Sequence, residues 1–172
     1  MNAKYKKSLK IITLLITAAI VATASATTYN YMYIKGSASI TTGGLSWALG
    51  SSAPGAATVS GYNVNNLNFS ILKNTFQNFT DSVRLTNADG TSHTFSLAST
   101  VTAGDTSKFT TFDMVVYQTD GTRIAKLSVK NQESAASLTI LGSETLYVRF
   151  EVDPLLDADS GYMAFTIQLT YT

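Results

Sequence analysis

Apolar and polar residues alternate with the two-residue period of a strand along most of this chain. No stretch of comparable length follows the 3.6-residue period of a helix. The pattern is clearest toward the end. In Leu146 to Val152, the residues Leu146, Val148, Phe150 and Val152 face one way and Tyr147, Arg149 and Glu151 the other. In Tyr162 to Thr172 the inward set is Met163, Phe165, Ile167, Leu169 and Tyr171. Asp153-Pro154 stops the first of these strands, and the run from Asp157 to Gly161 leads into the second. Earlier, Leu67, Phe69 and Ile71 share a face, which turns Asn68 outward. Ser82 to Ala98 is expected to form a hairpin around Asn87-Ala88-Asp89-Gly90. A second hairpin is expected from Phe112 to Val129 around Thr119-Asp120-Gly121-Thr122, whose Asp-Gly suits the positive backbone angles of a tight turn. The pattern predicts an all-β chain of seven to nine strands, an antiparallel β-sandwich or jelly-roll-like fold.

One strand stands apart. In Thr27 to Ile40, Met32, Ile34, Gly36, Ala38 and Ile40 form an apolar face, Tyr29, Tyr31 and Tyr33 alternate with it, and Lys35, Ser37 and Ser39 continue the polar phase. Nothing adjacent in sequence pairs with it. Such a strand either closes its own domain's sheet or completes a neighbour's. After it, Thr41 to Tyr62 is rich in Gly, Ser, Ala and Thr, with turn signals at Gly43-Gly44 and Pro54-Gly55, and reads as loop with a short strand carrying Leu45, Trp47 and Leu49.

Ahead of this strand the first ten residues hold Lys4, Lys6, Lys7 and Lys10, followed by an apolar run from Ile11 to Ala22 and small residues at Ala24 and Ala26. These are the three parts of a secretion signal, with cleavage expected after Ala26. The run is shorter than the roughly 20 residues of a membrane span. The expected organisation is a signal at 1–26, a leading strand at 27–40 and one β domain at 41–172. The product is extracellular, with no membrane contact after cleavage. No hydrophobic tail or sorting motif follows the last strand, so the chain is expected to be released or incorporated into an assembly.

Four of the twelve Lys and Arg lie in that signal, so the remainder, with eleven Asp and Glu, is mildly acidic and does not suggest nucleic acid. The absence of cysteine removes disulfides and thiolate metal sites. Charged residues make up 13% of the chain, against about 25% in an ordinary soluble domain, so much of the surface is expected to be interface or sugar-covered.

Candidate chemistry is sparse, and neither a cofactor nor an enzymatic activity is expected. His93 is the single histidine and has no nucleophile and acid arranged with it in sequence, and zinc hydrolysis would need more such ligands. Asp153, Asp157 and Asp159 lie close enough to share a hard cation but lack the run of oxygen ligands of a calcium loop, so solvated turn acids are the simpler reading. Asn68-Phe69-Ser70 and Asn78-Phe79-Thr80 are acceptor triplets for an N-linked glycan, with outward Asn68 preferred. Trp47 reads as a plug over the core edge rather than a contact with another subunit.

A cleaved signal, an aromatic-rich leading strand, a cysteine-free β domain and the closing segments SETLYVRFEV and YMAFTIQLTY resemble archaeal bundling pilins and, more distantly, the TasA and camelysin biofilm-fibre proteins. Archaeal thread filaments use the same device. The resemblance implies a jelly-roll-like subunit with a free N-terminal donor strand that polymerises head to tail by donor-strand complementation, its filaments bundling with neighbouring filaments in a biofilm matrix. Camelysin-type members have been classed as metallopeptidases, but one histidine and no HExxH give that activity no support here. The acceptor groove is expected where inward faces are most apolar, at Leu146, Val148, Phe150, Val152, Met163, Phe165, Ile167 and Leu169. The competing expectation is a monomeric secreted module that binds carbohydrate or a surface layer, with Tyr29, Tyr31, Tyr33 and Trp47 stacking on sugar rings.

Overall fold

The computed structural model describes residues 31–40, 44–155 and 162–171. They form β1 (Tyr31–Ile40), β2 (Leu45–Leu49), β3 (Thr58–Ser60), β4 (Asn63–Leu72), β5 (Gln77–Asn87), β6 (His93–Gly104), β7 (Phe109–Tyr117), β8 (Arg123–Ser128), β9 (Ser134–Ile140), β10 (Thr145–Pro154) and β11 (Tyr162–Tyr171). A single 3-10 turn at Thr106–Lys108 is the only helical element among the described residues. Two sheets face each other. Sheet A runs β3-β4-β1-β11-β6-β9 and sheet B runs β2-β5-β10-β7-β8. The all-β sandwich predicted from alternation is the fold, with more strands than expected. The additional ones, β3 and β9, are short or irregular: β3 has no buried residue, and Ser137 at φ 57° breaks the period of β9.

The alternation works as the mechanism of folding. In β10 every second residue from Leu146 to Val152 is buried, and in β11 every second residue from Met163 to Leu169. Their inward rings meet in an aromatic cluster. Phe69 lies edge-on to Phe150 with centroids 5.0 Å apart, and Phe112 edge-on to Phe165 at 5.1 Å, the tilted contacts that ring quadrupoles prefer.

Two expectations about pairing change. Ser82 to Ala98 is a crossing between sheets, because β5 pairs with β2 and β10 in sheet B while β6 pairs with β11 and β9 in sheet A. Each strand has its own apolar face, and facing across the core buries both. The turn asparagine is a corner pin. Asn87 is 1% exposed, donates to the carbonyls of Thr91 and Leu141 at 2.8 Å, and accepts from the Asp89 amide at 2.9 Å. The second expected hairpin does form, as β7-β8. The other change concerns the leading strand, which is not free. β1 lies inside its own sheet, antiparallel to β4 and parallel to β11, because a single chain satisfies both edges of that slot most directly with its own strand.

Candidate functional site

The position of β1 follows from how the other strands nest. From β4 onward, β7 pairs with β8, β6 with β9 and β5 with β10, as successive rungs of one long antiparallel hairpin rolled into two sheets, the order of a jelly roll. The next rung outward would join β4 to β11. Instead β1 stands between them. The outermost rung is opened by one strand, and the strand that fills it comes from outside the nested series.

The slot pairs β1 residue by residue, from Tyr33 opposite Tyr162 to Ile40 opposite Leu169 on one side, and from Tyr31 opposite Leu72 to Ser39 opposite Asn63 on the other. On β1, Ala38 is 4% exposed, Gly36 is buried and Lys35 is exposed, as the alternation requires. A Cβ on Gly36 would overlap the Phe165 ring, so glycine is what lets β1 lie against that ring. Tyr29, and the side chains of Tyr31, Met32, Tyr33, Ile34 and Ile40, lie outside the described residues.

All eight expected groove residues belong to one buried core. Met163, Phe165, Ile167 and Leu169 sit on β11, the strand β1 pairs with. Leu146, Val148, Phe150 and Val152 sit on β10, across the sandwich, and form the floor. The second wall was missed. It is β4, with Leu67, Phe69 and Ile71 all fully buried, and their shared face was the available signal.

Residues 41–44 join β1 in one sheet to β2 in the other. Beyond this link β2 is fixed to the body. Ala88 donates its amide to the Gly44 carbonyl at 3.1 Å, and Gly50 to the Ser82 carbonyl at 3.1 Å. Asp81 clamps the exit of β2. Its carboxylate accepts from the Ser51 amide at 2.8 Å, from the Ser51 hydroxyl at 2.7 Å and from Arg84 Nε at 2.8 Å. The Arg84 hydrogen bond, above all, holds this carboxyl well below the usual carboxylate range, with the Ser51 donors adding to it against the cost of burial.

Other candidates fall elsewhere. Trp47 is 3% exposed and packs in the core, so it is a plug and is not available to stack on a sugar. His93 meets Asp89 Oδ2 through Nε2 at 3.0 Å and the edge of Tyr171, far in character from a nucleophile and base. Asp153 is half-buried at the end of β10, and Asp157 and Asp159 lie outside the described residues. Among the described residues no cluster of three metal-ligating side chains occurs. Of the glycan acceptors, Asn78 is exposed while Asn68 is half-buried. Gly55 packs over Asn68, whose Oδ1 is buried without a hydrogen-bond partner. That reverses the order expected from strand phase, because the loop from β2 to β3 folds over β4. No family model matches the chain, and no curated protein matches it.

Proposed function

We propose that this protein is the subunit of an extracellular filament in which Tyr31–Ile40 leaves its own sheet and fills the slot between β4 and β11 of the next subunit. The observation that carries this reading is the opened outermost rung: a nested β domain with a gap one strand wide, occupied by a strand from the beginning of the chain. The exchanged strand makes the same ladder and core contacts in either host, so exchange is nearly neutral in contacts and is decided by the link and by concentration. Four linking residues, five Cα steps, reach up to about 18 Å against about 10 Å between packed sheets, so β1 can seat in its own slot as well as in a neighbour's. Short hinges favour exchange where they are strained. Because donor strand and slot are different surfaces, the contact is heterologous and propagates. Export through the N-terminal signal and lateral bundling belong to the same proposal.

The absence of native cysteine gives a direct test. Ser37 and Thr166 are paired in register on β1 and β11, both half-buried on the outer side of sheet A. On oxidation, a Ser37→Cys, Thr166→Cys protein is expected to give a covalent ladder on a denaturing gel, with filaments in negative stain. A band that stops at the dimer means reciprocal exchange and overturns the filament. β1 ends and β2 begins at the same end of the sandwich, which makes that outcome geometrically open. An internally bridged monomer alone means that β1 belongs to its own domain, as the binding-module reading requires.

A further inference from the structure

Two acceptor triplets for an N-linked glycan have no part in strand exchange, and the fold separates them. Asn68 lies under the loop from β2 to β3, where a Cβ at Gly55 would already overlap the Asn68 Cβ. A sugar on its amide would have to displace that loop. Asn78 is open. It lies near the start of β5 and pairs with Glu151 of β10 on one side. On the other side β2 accompanies β5 only from Val83 to Asn87, so the stretch from Gln77 to Thr80 lies beyond the end of β2.

A ring beside Asn78 distinguishes it further. From Phe76 to Thr80 exposure alternates: Phe76, Asn78 and Thr80 are exposed, and Gln77 and Phe79 are half-buried between them. Phe79 turns inward, edge-on to Phe69 at 4.9 Å, so the other three stand on the outer side. Phe76 is 56% exposed, whereas each of the other seven phenylalanines is buried or half-buried. One exposed ring is ordinary by itself. Here it shares a face with an acceptor amide two residues on, a spacing of about 6.6 Å along an extended chain. The C–H groups on one face of a pyranose meet the negative face of such a ring, while the sugar's hydroxyls stay in water. The polar outward neighbours Asn78 and Thr80, with Glu151 across the ladder, suit those hydroxyls.

We infer that Asn78 carries an N-linked glycan whose first sugar lies over the Phe76 ring, and that Asn68 stays bare. In the transfer, Asn78 Nδ2 forms a bond to the anomeric carbon of a lipid-phosphate-linked oligosaccharide. The bond from that carbon to the phosphate oxygen breaks with its electron pair on oxygen, the amide gives up one proton, and the lipid phosphate leaves; nothing is oxidised or reduced. The ring is then withdrawn from water, and the sugar supplies hydration that a chain with 13% charged residues otherwise lacks. The inference rests on the proposed function only for export of the chain. Asn78 is on sheet B and the slot is in sheet A, so glycan and strand exchange do not compete.

Trypsin separates the two acceptors for the test. Cleavage after Lys35, Lys73 and Arg84 leaves Asn68 in residues 36–73 and Asn78 in residues 74–84. In protein taken from the surface or medium of the cells that make it, mass spectrometry is expected to find sugar on 74–84 and none on 36–73. Sugar on 36–73, or a bare 74–84 in exported protein, would overturn the site and leave export standing; protein retained inside the cells would overturn both. The covalent ladder reads strand exchange separately. The ring is tested by a cycle of four proteins from a eukaryotic secretory host: the unaltered chain, Phe76→Ser, Asn78→Gln and the double variant, all changed at exposed positions. In the fractions that carry sugar, the glycan is expected to raise the melting temperature by about 3 °C with Phe76 in place, and by less than half as much in the Phe76→Ser background. Equal increments in the two backgrounds would mean that the sugar does not lie on the ring.

Discussion

Asp81 stands in a left-handed backbone conformation inside β5, at φ 49°, and there a turn of chain from β2 closes over it. The carboxylate is held ionised by Arg84 and Ser51. A folded-state pKa below the unfolded value contributes stability that is present above the unfolded value, about 3.9 for aspartate, and is lost as pH falls through the folded one. Asp81→Asn is therefore expected to lower stability by about 1 kcal/mol at neutral pH, the Arg84 partner being partly screened by solvent. In urea titrations the gap between the two proteins should hold from pH 8 to 5 and narrow below about pH 4. A gap that stays constant down to pH 2 would mean that charge is not what holds the clamp. Little of this was legible beforehand, because Ser51 and Arg84 approach Asp81 only when β2 lies beside β5. The turn at Asn87 was legible as a turn; that its side chain is buried between two other carbonyls was not, since one of them, on Leu141, is distant in sequence.

Among elements, β1 carries the functional argument. Its period was plain in the sequence, and the buried Gly36 and Ala38 against exposed Lys35 follow it. Its partners were not plain. A strand's own pattern says that one face is dry but not which edges it joins, and here one partner precedes the crossings of the nested series and the other ends it. Gly36 shows the consequence. On sequence alone, Gly36→Val would be expected to affect assembly and spare the isolated fold. With the Phe165 ring against Gly36, the same change strains the strand's seat in any slot, its own included. We expect Gly36→Val to destabilise by about 1–3 kcal/mol, typical of overpacking, and to make β1 more accessible to limited proteolysis. Phe165→Leu in the same chain should partly restore protection. No rescue would place the strain elsewhere than on that ring.

For the molecule as a whole, the proposed exchange of β1 turns on the link that joins it to β2. If a taut link drives exchange, inserting Gly-Ser-Gly-Ser after Gly43 supplies slack, and the cysteine-paired protein should shift from ladder to internally bridged monomer by severalfold. An unchanged ladder would show that the hinge is not strained and that exchange is driven elsewhere. The low overall charge, 13%, also takes a physical form at this scale. The deficit is not spread evenly: it falls on sheet A, while sheet B keeps a connected set of ion pairs.

By itself the sequence determined the class of fold and the inward residues, because a two-residue period with one dry face admits few arrangements other than a pair of packed sheets. It indicated as well that β1 needs a sheet to join, its own or a neighbour's. Tertiary structure alone decided that Ser82 to Ala98 crosses between sheets, that β4 is the second wall of the slot, and that β10 and β11 face each other across the core. Periodicity fixes which side of a strand is buried, while edge pairing depends on where strands distant in sequence come to lie, and that is settled only when the nested hairpin rolls up around a shared aromatic core.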